Sequence, residues 1–235
     1  VPSIVCTDKG TVIAPYEFRY GGDWSAMDLA IRRSTDGGGQ WSERMVIAHG
    51  HGIDAIHNAV LFADQDMVHL IWHRNYRQAY YMYSLDQGLT WSEARDISGA
   101  YASLREQYNW TVIAAGPGHG LVTSTGRLIV PVWADANRMD ITSHHPSVVT
   151  TLYSDDHGGA WQCGEIIWAD EDFVDPNESV ITELSDGRMM LNCRHETGKD
   201  MRKVGFSPDG IRNWGGFYFE GQLIDPVCCA GMTQG

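Results

Sequence analysis

The chain has 235 residues, of which 43% are hydrophobic and 20% charged, an ordinary balance for a globular protein with one sizeable core. Its formal net charge of −13 argues against nucleic-acid binding, because phosphates would be repelled. Five cysteines without a CxxC spacing disfavour a zinc site or a disulfide framework and indicate buried free thiols, and no apolar run approaches the roughly 20 residues of a membrane-spanning helix.

One short pattern, Ser-x-Asp-x-Gly-x-x-Trp, recurs along the chain. Three complete copies and one degraded copy occupy residues 34–41, 84–91, 154–161 and 207–214. The degraded copy has Ile211 where Gly is expected. This pattern is the Asp box, and four copies are too many to be attributed to chance.

The chemistry of the Asp box is that of a tight hairpin. Its Asp accepts hydrogen bonds from backbone N–H groups across the turn, its Gly supplies a backbone angle that other residues rarely adopt, and its Trp covers the turn. We therefore predict structural roles for the four aspartates, Asp36, Asp86, Asp156 and Asp209.

Strand-like runs flank and separate the boxes, and no long amphipathic helix competes with them. In chain order they cover 29–33, 45–48, 67–72, 79–83, 127–133, 148–153, 165–168 and 188–192. A period near 50 residues with several short strands per unit is typical of propeller blades. The sequence thus predicts an all-β fold, a β-propeller with about four blades present.

The segments outside the boxes carry a more specific signal. Residues 1–5, 17–34, 116–133 and 177–194 follow one another as similar segments do in bacterial exo-sialidases (neuraminidases, glycoside hydrolase family 33). The chain resembles that family over essentially its whole length. The family's propeller has six blades, so the resemblance implies one domain over residues 1–235 that is truncated at both ends.

The resemblance implies roles for three charged residues. Glu178 and Arg194 match the family's catalytic Glu and one Arg of its substrate-binding triad, and a turn at 185–187 would let two adjacent strands bring them to one end of a sheet. Asp23 matches the acid/base that protonates the leaving group. Asp28 competes for that role, and we expect it to be structural.

The substrate explains why these residue types are needed. Sialic acid carries a carboxylate on its anomeric carbon, and a guanidinium binds a carboxylate with two hydrogen bonds. The same group would repel a carboxylate nucleophile, and the family instead uses a Tyr that is activated by the Glu. That Tyr and two triad arginines match no residue here, so little activity is expected of these residues alone; Tyr16, Tyr20 and Tyr108 are unsupported substitutes.

Four further residues are weaker candidates for the substrate pocket. Asn58 lies where the family's second blade often presents a polar residue to the sugar. Trp110, His119 and Trp133 could contact the glycerol or N-acyl arms of the substrate, but a place in the core is an equally good interpretation of each.

The first hypothesis is therefore a retaining exo-α-sialidase whose partner is a sialylated glycan and which needs no cofactor and no metal. The alternative is a non-catalytic, lectin-like propeller that binds an acidic sugar. A third hypothesis is a purely structural propeller, and the match at Glu178 and Arg194 argues against it. The substrate class implies a secreted or periplasmic protein. The sequence does not indicate an oligomeric state, a linkage preference or a particular sialic acid.

Overall fold

The chain folds almost entirely into antiparallel β-strands. The computed structural model describes residues 3–22, 24–52, 54–137 and 145–232. Two compact units divide the chain, residues 1–98 with 117–119 and residues 99–116 with 120–235, and each contains two sheets. The predicted all-β class is confirmed, whereas a single domain over 1–235 stays a prediction.

The first unit consists of two four-stranded meanders in which neighbouring strands in the chain are neighbours in the sheet. The first sheet contains β1 (Val5–Cys6), β2 (Val12–Arg19), β3 (Met27–Ser34) and β4 (Met45–Ala48). The second sheet contains β5 (Ile56–Asp64), β6 (Met67–Arg74), β7 (Gln78–Ser84) and β8 (Arg95–Asp96).

A 3-10 helix (Ser98–Tyr101) leads from the first unit into the second, which continues in helix α1 (Ala102–Gln107) and then forms two sheets. The third sheet contains β9 (Val112–Ala115), β10 (Leu121–Val122), β11 (Leu128–Asp135), β12 (Ser147–Ser154) and β13 (Gln162–Cys163). The fourth contains β14 (Ser179–Glu183), β15 (Met189–Cys193), β16 (Met201–Ser207) and β17 (Gly215–Ile224). In the third sheet β9 pairs with β11 beside the meander.

Inner strands such as β6, β11 and β12 are buried on both faces, which is why their sequences are apolar rather than strictly alternating, whereas β2 is only partly buried. In the first unit, β5 packs against β2 and β3, and Leu29, Leu61 and Trp72 belong to the core between the two sheets. In the second unit, every residue of β11 is buried, and β14 packs against it. Burying one large aliphatic side chain contributes roughly 1.5–3 kcal/mol.

The three complete Asp boxes form the predicted turns, each between the last two strands of its sheet. In the second box the Ser84 hydroxyl and the backbone N–H of Thr90 donate to the Asp86 carboxylate at 2.8 Å each, and Gly88 donates to the Ser84 oxygen at 2.7 Å. Burial alone would raise the pKa of Asp86, but the hydrogen bonds from Thr90 and Ser84 lower it to about 2. Asp86 thus makes the turn hydrogen bonds expected of a box aspartate, and a purely structural role for the four aspartates stays a prediction.

The fourth box closes one residue earlier than the others. Gly210, not residue 211, donates to the Ser207 hydroxyl at 2.9 Å, while the Asp209 carboxylate accepts from the N–H groups of Ile211 and Arg212. Gly210 has φ +75°, and a Cβ there would lie 2.6 Å from Ile129 Cδ1. The glycine has therefore moved by one position, which explains why Ile211 is tolerated.

The predicted strand at 165–168 is wrong. Only Ile167 makes a bridge, to Val149, whereas Gly164 and Glu165 donate to the carbonyls of Thr151 and Ile211. Because its hydrogen bonds go to two different elements, the segment cannot run alongside one strand. The other predicted strands are confirmed, with small shifts at their ends.

Two further expectations can be compared with the structure. All five cysteines are free, but only Cys193 is buried, and Cys6, Cys228 and Cys229 are exposed, so the prediction of buried thiols is wrong for these three. Among the described residues, no helix has the length and apolar character needed to cross a membrane.

Candidate functional site

The predicted polar site residues lie, within their own sheets, at the end opposite the Asp box. Glu178 precedes β14 and Arg194 follows β15, whereas the fourth box follows β16 at the other end. The same holds for Asn58 near the start of β5 in the second sheet. In the first sheet the loop 20–26 joins β2 to β3 at the end away from the first box.

The turn between β14 and β15 brings Glu178 and Arg194 together, as the sequence predicts. Ser179 pairs with Cys193 in the ladder, so the residues just outside it face each other. The backbone N–H of Arg194 donates to the Glu178 carbonyl at 3.0 Å. Sixteen residues of separation thus become direct contact.

The Arg194 guanidinium lies between two carboxylates. Its Nη1 is 3.2 Å from Glu178 Oε2 and its Nη2 is 3.0 Å from Glu196 Oε1. The side chains of Arg194 and Glu178 are 24% and 22% exposed, so the pair is accessible from solvent yet partly desolvated. Arg194 Nε is buried and has no hydrogen-bond partner among the described residues. Sequence reasoning missed Glu196, whose only signal is its position two residues after Arg194.

Asn177 fixes the backbone on which Glu178 sits. Its side-chain oxygen accepts from the N–H of Glu178 at 2.8 Å, and its amide nitrogen donates to the Asp175 carbonyl at 3.2 Å and to Glu196 at 3.4 Å. Asn177 is buried, so these bonds replace those it would make with water.

Arg202 also holds the backbone at Glu178 through hydrogen bonds, and sequence reasoning missed this residue as well. Its Nε donates to the Asn192 side chain at 2.6 Å, and its Nη1 donates to Asp225 at 3.1 Å and to the Cys228 carbonyl at 2.8 Å. Its Nη2 donates to the carbonyls of Glu178 and Asn192. All five donors of this buried guanidinium are therefore used.

In the first unit, Asp23 lies outside the described residues, and residues on either side of it make backbone hydrogen bonds. Tyr20 donates its N–H to the Ala26 carbonyl at 3.2 Å, and Ser25 donates to the Gly22 carbonyl at 3.0 Å.

Asn58 occupies a bulge in β5 with φ +53°. Its N–H donates to Glu17 Oε1 at 3.0 Å, and its side-chain oxygen lies 2.9 Å from His57 Nδ1. His57 Nε2 accepts the N–H of Tyr76 at 3.0 Å, so in the neutral ring Nδ1 carries the proton and donates to Asn58. Bulges of this kind re-aim a side chain at the end of a sheet.

Asp28 has three partners, which agrees with the structural role expected of it. Its Oδ1 accepts from Gly50 N at 3.1 Å and faces His49 Nδ1 at 3.5 Å, and its Oδ2 accepts from the Tyr20 hydroxyl at 3.0 Å. The hydrogen bond to Asp28 raises the pKa of Tyr20.

The remaining pocket candidates are less accessible. Trp110 and Trp133 are each 4% exposed, and the Arg105 guanidinium lies 3.6 Å from the centre of the Trp110 ring. His119 is half-buried, and burial lowers its pKa. Burial favours a packing role for the two tryptophans, while any contact with substrate stays a prediction.

Neither Tyr108 nor Tyr20 has the surroundings of an activated nucleophile. Tyr108 donates its hydroxyl to the Pro146 carbonyl at 2.6 Å, and burial followed by the charge of Asp135 raises its pKa to about 12. Tyr20 has a raised pKa, and Tyr16 lies within β2. A raised pKa makes the phenolate harder to form.

Comparisons with known proteins agree with this architecture. A model of the BNR repeat-like domain matches residues 10–220. The sialidase of Micromonospora viridifaciens is 29% identical over all of this chain, which spans 38% of that relative's length.

Solved structures give the fold. The Hadza microbial sialidase Hz136 superimposes with a TM-score of 0.76 at 23% identity, over 97% of this chain and 48% of its own. Trypanosoma rangeli sialidase in complex with the inhibitor DANA superimposes with a TM-score of 0.74 at 18% identity. The match covers 92% of this chain and 37% of that sialidase. Both similarities concern the fold, and the predicted β-propeller class is confirmed. Since the domain model covers most of the chain and all four Asp boxes, the chain belongs to the BNR repeat-like family, with sialidases as its relatives.

Proposed function

We propose that the protein carrying these residues is an exo-α-sialidase that removes terminal sialic acid from glycoconjugates. The observation that carries the proposal is the contact of Arg194 with Glu178 at the end of the fourth sheet opposite its Asp box. The similarity to sialidases, including one solved with an inhibitor, supports the same activity. Because this chain spans well under two thirds of those relatives, the activity concerns the protein as a whole.

In this proposal Arg194 binds the substrate carboxylate. Its Nε lacks a partner among the described residues, and its two Nη groups are held by carboxylates that orient the guanidinium plane. An incoming carboxylate would compete with Glu178 and Glu196 for the Nη donors. A bidentate, permanently charged donor is suited to that exchange, because it loses no proton and keeps its planar geometry.

Glu178 is proposed to accept the proton of a tyrosine nucleophile, a residue that we do not assign within these 235 positions. The ion pair with Arg194 and the hydrogen bond from Asn177 to its backbone hold it in place. The Tyr oxygen would attack the anomeric carbon as the glycosidic bond breaks, and water would then release the sugar with retained configuration. Asp23 would protonate the departing oxygen and later deprotonate the water.

A fluorogenic sialoside assay on the full-length protein tests this proposal. Glu178→Gln is expected to lower kcat by about 10²–10⁴-fold, the usual contribution of a positioned base. Arg194→Lys is expected to weaken binding of N-acetylneuraminic acid by about 10- to 100-fold, because the positive charge stays but the bidentate hydrogen bonding of the guanidinium is lost. Arg188→Lys is the matched control, since Arg188 pairs with Asp186 at the opposite end of the same sheet.

Unchanged hydrolysis in Glu178→Gln would refute the role of Glu178. If the parent protein hydrolyses nothing but binds N-acetylneuraminic acid through Arg194, the lectin-like alternative is correct. The Asp23 assignment requires a raised pKa, so a pH–rate profile without an acidic group above about pH 5 would contradict it. The substrate class leads us to propose a secreted or periplasmic location.

A further inference from the structure

A cleft lies in the second unit, and neither Glu178 nor Arg194 lines it. Its volume is about 160 Å³, smaller than the pockets that hold drug-sized ligands. The walls consist of β16, β17 and the irregular segment 165–173. That irregular segment is the region where the predicted strand does not form, and its departure from the third sheet opens the cleft.

Aromatic rings form much of the lining. Trp168, Trp214, Phe173 and Phe217 all contribute, and Trp168 is 53% exposed, with its ring edge-to-face against Tyr108 at 5.9 Å. A tryptophan that leaves half of its surface in water beside other rings is poorly explained by core packing. Exposed aromatic surface of this kind marks binding sites.

The cleft also contains a buried cation. Lys203 is 5% exposed, and its ammonium lies 4.6 Å from the centre of the Phe173 ring and 4.9 Å from that of Phe219. It donates one hydrogen bond, to the Asp172 carbonyl at 2.7 Å. An ammonium has three donors, so two are left without an acceptor among the described residues.

Two carboxylates of the cleft lining, Glu165 and Asp170, each accept hydrogen bonds from the described residues with only one of their two oxygens. Glu165 accepts the N–H of Trp214 at 2.8 Å with Oε1, and Asp170 accepts the N–H of Asp172 at 2.8 Å with Oδ1. The second oxygen of each has no donor among the described residues. The lining of the cleft therefore combines aromatic rings with donors on Lys203 and acceptors on Glu165 and Asp170 that are free within the described ranges.

We propose that this cleft is a second carbohydrate site that binds one neutral pyranose. An external cation is disfavoured because the Lys203 ammonium already lines the cleft and lies over the Phe173 ring. An anion is disfavoured by Glu165, Asp170 and the net charge of −13. Sugar hydroxyls accept from an ammonium and donate to carboxylates, while the C–H faces of the ring pack on Trp168. This site is independent of sialic acid cleavage.

Titration of the intact chain with methyl β-D-galactopyranoside and methyl α-D-mannopyranoside, followed by saturation-transfer NMR, tests the proposal. Saturable binding of at least one glycoside is expected, with Trp168→Ala weakening it by at least about tenfold. Lys203→Met should weaken it as well, and Trp41→Ala is the control, because Trp41 is an exposed tryptophan in the first Asp box, outside this cleft. Thermal unfolding of each variant checks that it folds.

Two results would overturn the proposal. One is that neither glycoside binds to the folded chain, and the other is that Trp168→Ala and Trp41→Ala reduce binding equally. Arg194→Lys should leave neutral-sugar binding unchanged, so failure of this proposal and failure of the sialidase proposal can be distinguished.

Discussion

Replacing Arg202 with Met is expected to destabilise the protein far more than the same replacement at Arg188. Both arginines belong to the fourth sheet or its turns, and each has an aspartate partner. They differ in burial. The side chains of Arg202 and Asp225 are 4% and 7% exposed, whereas those of Arg188 and Asp186 are each 52% exposed.

The magnitude follows from that difference. Removing one member of a buried, hydrogen-bonded pair costs about 3–5 kcal/mol, because the other charge is left without compensation. Arg202→Met would remove the Arg202 donors to Asp225 Oδ2, to the Asn192 side-chain oxygen and to the Cys228 carbonyl. The Glu178 carbonyl would lose one of its two donors and keep the N–H of Arg194. An exposed pair such as that of Arg188 contributes about 0–1 kcal/mol.

Urea unfolding, followed by far-ultraviolet circular dichroism and by tryptophan fluorescence, measures both values. The double variant Arg202→Met/Asp225→Leu should recover part of the loss, because it removes the unpaired charge. If Arg202→Met lowers the free energy of unfolding by no more than Arg188→Met, the buried network does not stabilise the fold and the reasoning fails.

Two other predictions concern the Asp box and a crowded glycine. The folded-state pKa of Asp86 is depressed from 3.8 to about 2, so its contribution to stability is present above about pH 4 and lost as the pH falls towards 2. The difference in melting temperature between wild type and Asp86→Asn should therefore shrink over that range, and a difference independent of pH would contradict the assignment. A Cβ at Gly50 would lie 2.4 Å from the carbonyl oxygens of Asp54 and Met27, so Gly50→Ala should cost about 1–3 kcal/mol or more in urea unfolding. Gly99→Ala is the control, because a Cβ at Gly99 would have no atom within 4 Å. If both variants lower the free energy of unfolding equally, the crowding at Gly50 is relieved in the variant and the prediction is wrong.

The repeat could be predicted from the sequence because its physics is local. Ser84, Asp86 and Gly88 satisfy one another within a single turn, so their spacing alone specifies the hydrogen bonds. The contact between Glu178 and Arg194 was also predictable, since a short turn at 185–187 joins two strands whose register it sets.

Contacts between distant segments were decided only by the tertiary structure. Arg202 and Asp225 carry no motif, and they meet because β17 returns along β16 through an irregular register that no local pattern specifies. Residues 165–168 look like a strand in sequence, yet Glu165 donates to Ile211 and not to the neighbouring strand of its own sheet. Local sequence fixes a turn because its partners lie a few bonds away, whereas a buried ion pair or a cleft exists only once separate strands have packed.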